Sequence, residues 1–160
     1  MNDEQTRAAL DAAAKQLSYR ALSTAALRDK LLDKGHDPAA VDAALAWLTE
    51  RRLLDDTAYA ESVVRSCTRR GYGAARIRQE LTRRGLDRPT AEAALLGYAT
   101  DPAQLHALLD KRLRGDVSDR KAVERAVAFL QRRGFSWGEI RAALDGYGQS
   151  LPDGDNDDMG

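Results

Sequence analysis

Between Arg65 and Arg88 the chain reads RSCTRRGYGAARIRQELTRRGLDR, with arginine at positions 65, 69, 70, 76, 78, 83, 84 and 88 against two acids, Glu80 and Asp87. No lysine shares the stretch. Each guanidinium is a planar fork of donors that grips phosphate or carboxylate through two parallel hydrogen bonds and stacks on flat partners. The chemistry open to such a run is recognition of anions, on nucleic acid or on an acidic protein surface. The plain alternative is a solvated helix face, because exposed ion pairs contribute only about 0–1 kcal/mol and are common. Gly71-Tyr72-Gly73 interrupts the run; its glycines make either a simple interhelix turn or a place where backbone approaches a partner closely. Arg83 and Arg84 end a helix, and the helix dipole accounts for one of them without any ligand. Lys111, Arg112, Arg114, Arg132 and Arg133 are candidates to extend the basic face. Tyr59 is expected half-buried in packing, and Trp47 and Trp137 are expected between helices rather than as base-stacking platforms.

Catalytic chemistry finds little to work with. The histidines are His36, in a turn, and His106, on a helix; Cys67 is the single cysteine. Gly-Tyr-Gly lacks the lysine and hydroxyl of a phosphate-binding Walker loop, and no set of ligands converges at metal-binding spacing. The expectation is a protein that is not an enzyme and needs no cofactor or metal.

The chain has 160 residues, 43% hydrophobic and 31% charged, with 25 basic and 25 acidic groups. Alanine and leucine dominate the apolar residues while aromatics are 6%, which favours close-packed helices over sheet. No apolar run approaches the roughly 18 residues of a membrane span, and the first twenty residues lack the order of a signal peptide. A lone cysteine fits a reducing compartment, so a cytoplasmic protein is expected. The zero net charge conceals an uneven layout. Asp153, Asp155, Asp157 and Asp158 lie in the tail and Asp3 and Glu4 in the head, leaving residues 5–152 with six more basic than acidic groups. Such a body is compatible with a polyanionic or acidic target, and the tail could screen it; the simpler reading of the tail is a solubilising end.

The elements that must carry these residues emerge from an internal repeat. Gly35, Gly85 and Gly134 are spaced 50 and 49 residues apart. Four residues before them stand Leu31, Leu81 and Leu130; directly before them stand Lys34, Arg84 and Arg133; six after them stand Val41, Ala91 and Ile140. In each copy a helix runs into a left-handed glycine, then a capping residue, Asp37, Asp87 or Ser136, opens a second helix. A further helix precedes each pair, near residues 4–17, 57–70 and 103–114. Asp55 or Asp56 caps the middle one. Three helices of this length bury little alone, so neighbouring units are expected to stack. The fold expected is all-α: a tandem array of three three-helix units, residues 1–53, 54–99 and 100–150, forming an elongated, curved molecule with an acidic disordered tail over 151–160.

Asp55-Asp56-x-x-Tyr59-Ala60, then Arg65, then Gly71-Tyr72-Gly73-x-x-Arg76-Ile77-x-x-Glu80-Leu81-x-x-x-Gly85, resembles the central signature of the RecX family, regulators of the RecA recombinase. Phe129-Leu130-x-Arg132-Arg133-Gly134-Phe135-Ser136-x-x-x-Ile140 resembles its counterpart in the third unit. The resemblance runs from about residue 8 to 148. It implies a regulator that binds RecA and its filament on single-stranded DNA and suppresses ATP hydrolysis, strand exchange and co-protease activity. The candidate contact residues are Arg65, Arg69, Arg70, Tyr72, Arg76, Arg78, Arg83, Arg84, Arg132 and Arg133. The expected partners are RecA, its filament and, weakly, DNA itself, with no membrane and a monomeric state. Two other readings stay open: a direct nucleic-acid binder whose helix pairs act as helix-turn-helix units, and a scaffold for another protein.

Overall fold

The computed structural model describes residues 3–150, which form α1 (Asp3–Tyr19), α2 (Thr24–Asp33), α3 (Pro38–Glu50), α4 (Asp56–Arg69), α5 (Ala74–Arg83), α6 (Arg88–Leu95), α7 (Pro102–Leu113), α8 (Arg120–Arg132) and α9 (Trp137–Ser150). Among these residues there is no strand. The aspartates of the tail, and the expectation of disorder there, fall outside the described residues.

The repeat is realised atom by atom at the helix ends. Gly35, Gly85 and Gly134 have φ of 89°, 84° and 96°, the left-handed region a side chain resists. The next residue's N–H reaches back to a carbonyl of the finished helix: His36 to Leu31 at 3.2 Å, Leu86 to Leu81 at 3.1 Å, Phe135 to Leu130 at 3.1 Å. This is the six-to-one bond of a Schellman motif, closing orphan carbonyls. The following helix is then capped at its third amide: Asp37 accepts from Ala40 (3.2 Å), Asp87 from Thr90 (2.8 Å) and Ser136 from Glu139 (3.2 Å). Glu139 returns the bond by accepting from the Ser136 N–H at 2.9 Å, completing a capping box. The two caps proposed for α4 divide their work. Asp55 accepts from the Ala58 amide at 3.0 Å, and Asp56 accepts from the backbone N–H and hydroxyl of Thr24 at 2.8 and 3.1 Å.

By compactness the described chain falls into two units. Unit 1 takes in residues up to Arg65 together with Arg78–Gly97, and unit 2 takes in Ser66–Ile77 together with the residues from Tyr98 onward. Residues of α4 and α5 therefore belong to both.

In unit 1, α1 packs on α2 and α3. Their core holds Ala13, Leu22, Leu27, Leu31, Val41, Leu45, Leu48 and Leu54, while Ala9, Ala40 and Ala44 let α1 and α3 approach closely. In unit 2, α7 packs on α8 and α9 around Leu105, Leu109, Leu113, Ala126, Leu130, Phe135, Ile140 and Tyr147. Tyr147 is fully buried with its hydroxyl satisfied twice, donating to Asp110 Oδ1 at 2.8 Å and accepting from the Gly115 N–H at 2.7 Å. Burial, then the Asp110 carboxylate, raise the phenol above its ordinary value.

A second repeat lies in how turns dock. In unit 1 the fully buried Ser23 donates its hydroxyl to the Arg84 carbonyl at 2.6 Å, beside Gly85. Fifty residues on, in unit 2, Gly73 N–H donates to the Arg133 carbonyl at 2.7 Å and Ala75 N–H to that of Gly134 at 3.2 Å. A Cβ on Gly73 would lie 2.4 Å from the Gly134 carbonyl group, so backbone rests directly on backbone.

The tryptophans depart from expectation. Trp47 is 40% and Trp137 56% exposed; Arg51 lies over the Trp47 ring at 3.8 Å, covering it with a guanidinium instead of a neighbouring helix.

Candidate functional site

The expected recognition arginines separate by what each touches. In unit 1, Arg78 donates to Glu92 at 2.6 Å, in the register where Arg28 meets Asp42 at 3.0 Å fifty residues earlier. Repetition of the pair marks Arg78 as part of the helix-pair architecture. Arg83 and Arg84 share Glu80, at 2.6 and 3.0 Å. The Arg83 hydrogen bond, followed by that of Arg84, holds the Glu80 carboxyl below its usual value although burial opposes this. Arg84 also donates to the Tyr59 hydroxyl at 3.2 Å, the main cause of its raised value. Tyr59 is half-buried, as expected, and acts through its hydroxyl. Arg65, exposed on α4, forms no ion pair among the described residues.

Unit 2 is different. Arg69, Arg70, Arg76 and Arg132 are exposed, and none forms an ion pair among the described residues. Arg76 belongs to a stack of alternating charge and ring. Arg112 lies over Phe129 at 3.6 Å, Arg133 lies 5.0 Å from the same ring and 5.1 Å from Tyr72, and Arg76 lies 5.3 Å from Tyr72. Arg133 also donates to the Arg70 carbonyl at 3.3 Å, and its Nε is buried with no hydrogen-bond partner among the described residues. Tyr98 donates to the Tyr72 carbonyl at 3.3 Å and Gln104 to that of Thr68 at 2.9 Å, so the turn carrying Tyr72 is pinned by the protein's own groups.

Stacking immobilises a guanidinium without consuming its in-plane donors, and each such contact contributes about 0.5–1 kcal/mol at exposed sites. Arg76, Arg112 and Arg133 are thereby ordered in advance without an ion pair among the described residues, and their free edges suit phosphate or carboxylate. The backbone that Gly71-Tyr72-Gly73 approaches closely is the turn at Gly134. Arg133 and Tyr72 thus sit inside the arrangement, Arg76 and Arg112 are its exposed arginines, and Arg69, Arg70 and Arg132 are exposed residues next to Arg133 or to the Gly71-Tyr72-Gly73 turn in sequence. Phe129, absent from the expected contacts, is a central rung. Its spacing of four from Arg133 on α8 was a readable signal, whereas its meeting with Arg112 of α7 needed the fold.

Among the described residues no group of three or more His, Cys, Asp or Glu side chains could hold a metal, and no helix is long and apolar enough to cross a membrane.

Comparison with known proteins gives this arrangement its context. Family models for the first, second and third three-helix domains of RecX match residues 9–48, 55–95 and 100–144. The chain is 39% identical over 140 residues to a regulatory protein RecX of Halorhodospira halophila, covering 86% of this chain and 87% of that one. It is 36% identical over 141 residues to that of Vibrio parahaemolyticus, covering 87% and 91%. In fold it is similar to the crystal structure of RecX from Lactobacillus salivarius, with a TM-score of 0.84 at 24% identity over 91% of this chain and 98% of that one. With three consecutive domain matches and relatives of this identity along most of its length, the chain belongs to the RecX family of regulatory proteins.

Proposed function

We propose that this protein binds RecA and its filament on single-stranded DNA and inhibits the filament's ATPase, strand-exchange and co-protease activities, working in the cytoplasm as a monomer without catalysis of its own. The observation that carries this reading is the carboxylate-free row of guanidiniums in unit 2, in a chain with as many acids as bases. An ordered cationic row without internal counter-ions is matched to an anionic surface outside the molecule. Arg69, Arg70, Arg76 and Arg132 make the contacts in this account, and Arg65, in unit 1, makes a separate one. Tyr72 holds Arg76 and Phe129 holds Arg112, with Arg133 against both rings. Arg78, Arg83 and Arg84 contribute less, because Glu92 and Glu80 already neutralise part of their charge. Tandem three-helix units touching successive protomers of a helical polymer turn individually weak contacts into avidity.

The same guanidinium edges fit DNA phosphates, which favours direct DNA binding as the second reading. Cosedimentation separates the two. The first expects this protein to pellet with RecA filaments assembled on single-stranded DNA and to stay in the supernatant with the DNA alone at moderate salt. Equal binding to naked DNA, falling steeply between low and moderate salt, identifies the second.

A further inference from the structure

Unit 1 contains a cleft of about 550 Å³ where the segment after α1 (Arg20, Leu22), α2 (Lys30), α4 (Tyr59) and the turn at Arg83 and Arg84 converge. That size lies in the range of about 300–1,000 Å³ typical of small-molecule sites. Its walls combine an apolar part with an excess of cations: Arg20, Lys30, Arg83 and Arg84 stand against Asp29 in the lining and Glu80 behind it. Arg84 is fixed by Glu80 and Tyr59, bonds that use two of its five donors. Tyr59 accepts from Arg84 through its hydroxyl oxygen, which leaves the phenolic proton to donate. Arg20 and Lys30 form no ion pair among the described residues.

We infer that this cleft is a separate anion site whose ligand is a phosphate monoester, carried either by a free nucleotide or by the phosphorylated end of a nucleic-acid strand. Four cations facing two carboxylates leave an excess of two, which balances a terminal phosphate near its dianionic form at neutral pH. A phosphodiester within a strand, or a single carboxylate, brings only one charge. Guanidinium forks and a phenolic donor surround the phosphate oxygens, while Leu22 and the Tyr59 ring offer apolar surface to the attached nucleoside. The inference stands independently of RecA binding, since none of these groups belongs to the unit 2 row.

The test is an amide-shift titration of the full chain with adenosine 5′-monophosphate, adenosine, a short single strand bearing a 5′-phosphate, the same strand with a 5′-hydroxyl, and an acidic peptide. Saturable shifts at Ala21, Ala26 and Gly85 are expected with the monophosphate or the phosphorylated strand, and at least about tenfold weaker binding with adenosine and the hydroxyl strand. Saturation by the monophosphate alone assigns the site to free nucleotides; tighter binding of the phosphorylated strand assigns it to strand ends. The Arg20→Gln/Lys30→Gln variant, which touches no ion pair, is expected to bind at least tenfold more weakly while the amide positions of unit 2 in the free protein stay unchanged. The inference is overturned by equal binding of phosphorylated and hydroxyl strands, by tighter binding of the acidic peptide, by an unaffected double variant, or by no saturable shift at these amides.

Discussion

Arg78 meets Glu92 in the register in which Arg28 meets Asp42, and Glu80 holds both Arg83 and Arg84, so three members of a conspicuous arginine run are bound up inside unit 1. Arg69, Arg70, Arg76 and Arg132 are not. A double-mutant cycle on Arg78→Ala and Glu92→Ala is expected to give a coupling in unfolding free energy within the error of the measurement, as for a solvent-screened pair. Carboxylates set the acid limit of stability. Burial pushes Glu139 up, but hydrogen bonds from Thr100 and Ser136 more than offset it, and Glu80 and Glu92 are lowered chiefly by their arginines. A carboxyl lowered in the folded state contributes stability above its unfolded value and loses it as pH falls through the folded one. Thermal midpoints are therefore expected to drop on acidification below about pH 4.3, the ordinary glutamate value. Glu139→Gln, which keeps an acceptor oxygen, should flatten that fall. The cation run was plain in the sequence, but its division was not, because the deciding partner can lie fourteen residues away, as Glu92 does, or on another helix, as Phe129 does for Arg112. One signal was present: the 28–42 and 78–92 pairs share the fifty-residue period.

At the scale of helices and turns the sequence was most informative. Gly35, Gly85 and Gly134 end their helices with left-handed φ, and Asp37, Asp87 and Ser136 cap the next ones, as their spacing implied. Local backbone chemistry decides these features, so local sequence suffices. The docking of turns was hidden, because one physical contact is made with different atoms in its two copies, a serine hydroxyl at position 23 and a glycine amide at position 73. Gly73→Ala pushes a methyl group to 2.4 Å from the Gly134 backbone and is expected to cost roughly 1–3 kcal/mol, as overpacking does. Chemical denaturation checks it. Leu81→Ala, at a fully buried position, is expected to cost about 2–5 kcal/mol in the same experiment. The spacing of four between Trp47 and Arg51 was a readable signal of their contact, whereas nothing in the sequence reports that Trp137, at the head of α9, faces outward.

For the whole molecule, the described chain divides into two compact units, with the Ser23 hydroxyl on the Arg84 carbonyl in one and the Gly73 N–H on the Arg133 carbonyl in the other. The all-helical class and the family were both legible from the glycine period and the motifs around it. The distribution of uncompensated charge was not, and function is proposed to follow from that distribution. The central claim is that the unit 2 guanidiniums engage RecA filaments. Its most direct test is the rate of ATP hydrolysis by RecA on single-stranded DNA, measured with this protein and with its Arg69→Ala/Arg70→Ala/Arg76→Ala/Arg132→Ala variant after matching helicity and melting. Suppression by fewer than one copy per RecA is predicted for the unaltered chain, with a loss of at least about tenfold in potency, roughly 1.4 kcal/mol, for the variant. An undiminished hydrolysis rate at saturating unaltered protein, or equal suppression by the two proteins, would contradict it.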